Sequence, residues 1–297
     1  MTTTPRSRFH GSWVALPTPF RNGAIDFPAL RGLIERQIAG KSAGLVAAGS
    51  TGEAVALTAC ERLAVIEFSV GTAGRRLPVL AGVGASETGL ACELAQAAQS
   101  TGAVGILATT PAYNRPQQRG LERHFGKLAE CAQVPIVLYN IPSRTGVDLL
   151  PTTVAAIVHA SRNVVAIKEA GTTLERVREL VELDALDVLA GEDAWIADAL
   201  QIGAVGVIGV VANLAPAQVA ELVEKLLSGE RSRAPGIVEK LSPLVRALFL
   251  ESNPAPLKAA LSLLGLCREE LRLPLVPVEE ETRAALRKAL AQAGIER

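Results

Sequence analysis

Val-Val-Ala-Ile-Lys-Glu-Ala-Gly, residues 164–171, sets a lysine directly behind four apolar residues. An unbroken apolar run of this length suits a parallel strand covered on both faces. A lysine inside such a strand is desolvated, which favours the neutral amine and lowers its pKa, and a neutral amine is a nucleophile. The alternative is a lysine at the solvated end of the strand, salt-bridged to Glu169. The stretch by itself leaves both readings open. The other six lysines, Lys41, Lys127, Lys225, Lys240, Lys258 and Lys288, fall in loop-like or helix-like contexts, so Lys168 is singled out.

Seven further runs resemble it: WVALP from Trp13, GLVAAG from Gly44, LPVLAGV from Leu77, GILATT from Gly105, PIVLYN from Pro135, DVLAGE from Asp187 and GVIGVV from Gly206. Between them lie segments with helical spacing, among them residues 26–40, 59–74, 88–100, 118–132 and 172–183. Asp26 and Thr58 stand where helix caps belong, and several of these segments end near glycine. Strand starts recur roughly every 20 to 33 residues, the length of one βα unit. Eight such units predict a (β/α)8 TIM barrel, because a doubly wound open sheet would carry fewer units or a glycine fingerprint after its first strand. GSTGE, residues 49–53, follows the second run and lacks the lysine of a phosphate-binding loop. Beyond about residue 224 only helical patterns remain: 237–250, 255–266 and 279–294. The expected organisation is a barrel over residues 1–224 and a C-terminal helical domain over 225–297.

Composition narrows the function classes. The 297 residues carry 30 basic and 30 acidic side chains, so no net charge points to nucleic acid or to an anionic membrane surface. The longest apolar run, 205–211, is far short of the roughly 20 residues that a membrane span requires. A soluble cytoplasmic protein is expected. The four cysteines show no CxxC pairing and read as reduced core thiols. The histidines, His10, His124 and His159, are scattered, which predicts no metal site.

Barrel enzymes place their reacting groups at the C-terminal ends of the strands. Here those ends carry Ser50 and Thr51, Tyr113 and Asn114, Tyr139 and Asn140 with Arg144 beyond, Lys168, then Gly191, Glu192 and Asp193, and finally Asn213. Both tyrosines of the chain stand in this set. A phenol can pass a proton to a substrate oxygen or nitrogen, or simply reach water at the rim. Arg144 can grip a carboxylate with its fork or remain an exposed loop residue. No GxSxG elbow occurs and no cysteine ends a strand, which leaves the lysine as the nucleophile.

These residues carry a resemblance. GSTGE (49–53), TPAYNRP (110–116), YNIPSRTG (139–146), IKEA (167–170), GVIGVVAN (206–213) and NPAPLK (253–258) together resemble the dihydrodipicolinate synthase and N-acetylneuraminate lyase family of pyruvate-dependent aldolases over nearly the whole chain. The resemblance implies a lyase with no separate cofactor, in which Lys168 forms an imine with pyruvate. It implies a hydroxyl relay of Tyr139, Ser50 and Tyr113, the last donated across a dimer interface, with Ser50 standing where threonine is usual. Thr51 would hold the pyruvate carboxylate, and the backbone carbonyls of Gly191 and Ile208 would line the same pocket. Arg144, after the YN-P motif, matches the synthase branch, whose acceptor is aspartate semialdehyde. Other pyruvate aldolases, such as sialic acid lyases and 2-keto-3-deoxy sugar acid aldolases, are the alternative; a non-catalytic keto-acid-binding barrel is a more distant one. A homotetramer built as a dimer of dimers is expected. Ala112, the helix start from Leu57 and Leu90 depart from the pattern of lysine-regulated synthases, so free lysine is expected to inhibit weakly or not at all.

Overall fold

The computed structural model describes residues 9–171, 173–230 and 234–296. Eight strands, β1 (Gly11–Ala15), β2 (Gly44–Ala47), β3 (Val79–Gly82), β4 (Gly105–Thr109), β5 (Ile136–Asn140), β6 (Val164–Glu169), β7 (Asp187–Ala190) and β8 (Gly206–Gly209), fall on the eight apolar runs. All neighbours pair in parallel, and β1 closes the barrel between β8 and β2. The last run is cut short: β8 ends at Gly209, and Val211–Asn213 turn into one 3-10 turn.

Around the barrel run α1 (Phe27–Ala39), α2 (Ala59–Ala73), α3 (Thr88–Gln99), α4 (Gln118–Cys131), the single turn α5 (Pro142–Thr145), α6 (Pro151–Ala160), α7 (Leu174–Glu182), α8 (Ile196–Ile202) and α9 (Pro216–Leu227). The expected caps are present. The Asp26 carboxylate accepts from the Ala29 amide, and Thr58 forms a reciprocal capping box with Glu61.

The strands divide their side chains between two apolar layers, as a period of two requires. Ile136 and Leu138 face the helices, whereas Val137 and Tyr139 face the barrel interior beside Trp13, Leu80 and Ile208. Phe9 and Trp13 meet edge-on, with ring centroids 5.3 Å apart. A β-carbon at Gly44 would lie 2.3 Å from the Trp13 ring, so that residue has to be glycine.

After α9, which runs through residues 224 and 225, come α10 (Ala234–Leu248), α11 (Ala255–Leu263) and α12 (Glu280–Gln292). These three pack on one another as a C-terminal helical domain, and α10 also meets the turns that follow β7 and β8. Polar ties complete the attachment. Lys258 on α11 is ion-paired with Glu53 in the turn after β2, and both side chains are buried. Arg272 pairs with Glu61 at the start of α2 and donates to the Ala56 carbonyl at 2.9 Å. The centroid of the Phe20 ring is 4.1 Å from Lys258 Nζ and 4.6 Å from the Arg272 guanidinium carbon.

Lys258 lies in a helix, as its context predicts, and its exposure there is 0%, so burial is not confined to Lys168 among the lysines. Its neighbours come from three distant segments, which no local pattern announces. All four cysteines are free thiols, but Cys60 is exposed in the first turn of α2, and only Cys92 is buried. The outward side of an amphipathic helix accepts a small apolar residue at little cost, so a thiol in a helical pattern does not establish burial.

Candidate active site

Lys168 ends the inward-facing series of β6 at 6% exposure, and Tyr139 ends that of β5 at 4%. The two residues are direct register partners across the β5–β6 ladder. Lys168 Nζ stands 4.2 Å from the centroid of the Tyr139 ring, so the amine and the phenol share one face of one pair of strands.

Neighbouring strand positions point to opposite faces, and this removes the salt bridge to Glu169. Glu169 is buried on the outer face, where both carboxylate oxygens accept from Asn140 Nδ2 at 3.1 Å and Oε1 accepts from the Gly171 amide at 2.6 Å. Asn140 Nδ2 also donates to Asp148 at 2.8 Å, and Arg176 on α7 donates to the same carboxylate oxygen at 2.9 Å. A polar network thus backs the two strands that carry Tyr139 and Lys168.

Burial pushes the Glu169 carboxyl up to about 7, against the pull of Asn140, the Gly171 amide and Arg176; Asp148 pushes it further up. The folded chain therefore holds this proton between about pH 4.5 and 7, where the unfolded chain has lost it. The contribution of this group to stability is fully present below that window and is lost as pH rises through it, about 3 kcal/mol in all. Glu169→Gln is neutral throughout, so urea titrations at pH 5 and 7.5 should show a smaller pH dependence in the variant by about that amount. Parallel profiles for variant and wild type would contradict the assignment.

Ser50 and Thr51 sit in the turn after β2, Ser50 half-buried and Thr51 buried. The Thr51 hydroxyl accepts from Asn253 Nδ2 at 3.0 Å. Arg144, on α5, is exposed and donates through Nη2 to the Asn253 backbone carbonyl at 2.8 Å. Gly191 follows β7, and its amide donates to the Glu169 carbonyl at 2.7 Å. A β-carbon there would lie 2.6 Å from that of Ala170, so the strand ends approach this closely only with glycine. Ile208 is fully buried in the barrel interior on β8.

Tyr113 differs from its sequence reading. The β4 strand ends at Thr109, and Tyr113 lies four residues further along a loop with φ 76°, 92% exposed. A tyrosine so displayed on a left-handed residue is no part of this chain's own barrel interior.

Two acids border the lysine. Asp193 is buried, and its carboxylate accepts from the Val210 and Val211 amides at 2.8 and 3.2 Å. Burial pushes its carboxyl up to about 6, while the two amides and Lys168 draw it down. Burial and Asp193 likewise raise the carboxyl of Glu192, with Lys168 and Arg144 acting in the opposite sense. Both acids stand within electrostatic reach of Lys168.

Among the described residues, no group of three or more His, Cys, Asp or Glu side chains is placed to hold a metal ion. His10 precedes β1, His124 lies on α4 and His159 on α6. No described helix is long and apolar enough to cross a membrane.

Sequence reasoning missed the contacts of Asn253 with Thr51 and Arg144. Asn253 belongs to a quoted motif, but nothing local says that a residue of the C-terminal segment reaches Thr51, 202 positions away.

A family model, the dihydrodipicolinate synthetase family, matches residues 8–293. The 4-hydroxy-tetrahydrodipicolinate synthase of Syntrophus aciditrophicus (strain SB) is 44% identical over 289 residues, spanning 97% of this chain and 99% of that protein. The solved dihydrodipicolinate synthase from Aquifex aeolicus matches with a TM-score of 0.95 at 39% identity, over 97% of this chain and 99% of that one. The chloride-inhibited dihydrodipicolinate synthase from Acinetobacter baumannii, solved in complex with pyruvate, matches with a TM-score of 0.94 at 39% identity over 96% and 99%. With the barrel closed, the lysine and tyrosine paired inside it, and a match running through nearly the whole chain, this protein belongs to the dihydrodipicolinate synthetase family.

Proposed function

We propose that the protein is a class I, pyruvate-dependent lyase that condenses pyruvate with aspartate semialdehyde in the diaminopimelate route to lysine. The observation that carries the reading is the Lys168 amine held 4.2 Å from the Tyr139 ring at the inward ends of adjacent strands. Its relatives' names support the acceptor, since those proteins are 4-hydroxy-tetrahydrodipicolinate synthases.

The chemistry follows from the positions. The amine adds to the ketone carbon of pyruvate, and the carbinolamine expels water to leave an imine on Lys168. Tyr139 hands a proton to the leaving oxygen and accepts it back. The imine nitrogen takes up the electron pair released when a methyl proton departs. The resulting enamine carbon bonds to the aldehyde carbon, and the aldehyde oxygen takes the proton. Thr51 holds the pyruvate carboxylate, and the carbonyls of Gly191 and Ile208 border the same pocket. Arg144 stands outside them, at the rim, where its fork meets the carboxylate of the acceptor.

Ser50 links Tyr139 to a third hydroxyl, Tyr113. The exposure of Tyr113 in the single chain supports its donation to a neighbouring subunit, and the proposed working unit is a homotetramer built as a dimer of dimers. The enzyme acts in the cytoplasm and uses no cofactor beyond the lysine it carries.

The test is borohydride reduction in the presence of pyruvate, followed by peptide mass mapping. A stable adduct on Lys168, and pyruvate consumption that depends on aspartate semialdehyde, are the expected results. An adduct absent from Lys168 rejects the mechanism, and an adduct with consumption driven only by a sugar aldehyde moves the protein to another branch. Free lysine at low millimolar concentration should leave the rate nearly unchanged, since Leu90 is a half-exposed apolar residue where an acid would be needed to hold an ammonium. Strong inhibition at micromolar to low millimolar lysine would overturn that expectation.

A further inference from the structure

The segment 253–258 reaches back to the turn after β2 at two points. Lys258 closes on Glu53, and Asn253 Nδ2 donates to Thr51 Oγ1 at 3.0 Å. Asn253 also receives Arg144 Nη2 on its backbone carbonyl at 2.8 Å. One residue of the C-terminal segment thus touches both groups assigned to substrate carboxylates, one through its side chain and the other through its main chain.

A hydroxyl has one proton and two lone pairs. Receiving an N–H from Asn253 occupies a lone pair of Thr51 and turns its own O–H bond elsewhere. Among the described residues the Thr51 hydroxyl donates to no protein acceptor. Thr51 and Asn253 are both buried, so water competes poorly for either group. The Asn253 Oδ1 beside them is buried and unpartnered.

We propose that Asn253 is a positioning residue for the keto-acid half-reaction, holding the Thr51 hydroxyl so that its proton is presented to the pyruvate carboxylate. The inference rests on the proposed function, through the role given there to Thr51. It also assigns a task to the C-terminal helical segment: its anchoring at Lys258–Glu53 holds Asn253 against the turn that binds substrate. An aspartate at position 253 would only accept. The Thr51 proton would then turn toward it, and a lone pair and a negative charge would face the incoming anion.

The experiment is steady-state kinetics of full-length Asn253→Asp and Asn253→Ala, with pyruvate and the aldehyde varied separately. Asn253→Asp should raise the KM for pyruvate roughly 10- to 100-fold, the scale of one hydrogen bond to a charged group. The KM for the aldehyde should stay within about twofold, because the backbone carbonyl that receives Arg144 is retained. A pyruvate KM that does not move, or an aldehyde KM that rises in parallel, overturns the proposal. Should the aspartate variant fail to fold, the cycle of Asn253→Ala with Thr51→Val decides. If Asn253 acts through Thr51, the alanine change adds nothing to Thr51→Val, and a full additive effect overturns the proposal. Borohydride trapping on the wild type keeps the two conclusions apart. No adduct on Lys168 rejects the proposed function itself, whereas an adduct with an unmoved pyruvate KM rejects only the role of Asn253.

Discussion

Lys168→Met is expected to lower kcat at least ~1000-fold and to abolish the borohydride-trapped pyruvate adduct, while leaving the fold at least as stable as wild type. Removal of a covalent nucleophile eliminates the imine altogether, and no other lysine faces the same interior: Lys258 points into its own ion pair with Glu53. Methionine fills a similar volume without a charge to desolvate, so the barrel interior beside Tyr139 and Leu189 should accept it. A variant that folds normally, as judged by circular dichroism, yet turns over at more than a tenth of the wild-type rate would remove Lys168 from the mechanism. A variant that fails to fold would show that the amine is needed for packing, contrary to its position at the open end of the strands.

Lys258→Met should cost roughly 3–5 kcal/mol of stability, measured by urea unfolding, because it leaves the Glu53 carboxylate buried without its cation. Burial lowers the pKa of the Lys258 ammonium, with Glu53 pulling in the opposite direction, so the pair is held by mutual compensation. Glu53 retains one hydrogen bond after the change, from the Arg272 amide at 3.0 Å, which keeps the loss from being larger. The double variant Glu53→Gln/Lys258→Met removes both charges and should recover most of the lost stability. Equal losses in the single and double variants would mean that packing around Phe20, rather than charge compensation, sets the cost. Both variants should also loosen Asn253 from Thr51, so a raised pyruvate KM is expected to accompany the lost stability.

A polar network braces β5 and β6 from behind. Asn140 and Glu169 follow Tyr139 and Lys168 in sequence and, by strand alternation, bond to each other on the far side of the same ladder. Tyr139 and Lys168, the two residues proposed to react, are therefore each followed by a neighbour that is hydrogen-bonded on the opposite face of the ladder.

The eight-unit rhythm, the helix caps at Asp26 and Thr58, and the lysine behind an apolar run were all legible in the residues themselves, because strand burial, capping and helical spacing are set within a few positions along the chain. So were the strand-end positions of Tyr139 and Lys168, since a parallel barrel gathers strand ends on one face, whereas Tyr113 lies beyond its strand. Which of those residues meet was decided only in three dimensions. The β5–β6 register puts Tyr139 over Lys168 and turns Glu169 away, and that depends on pairing between strands. The display of Tyr113 depends on a loop backbone that its neighbours in sequence do not dictate. Asn253 with Thr51 and Lys258 with Glu53 join positions 202 and 205 residues apart. A buried lysine on a helix looks like any surface lysine until the carboxylate that compensates it is brought alongside, and only the packed C-terminal segment does that.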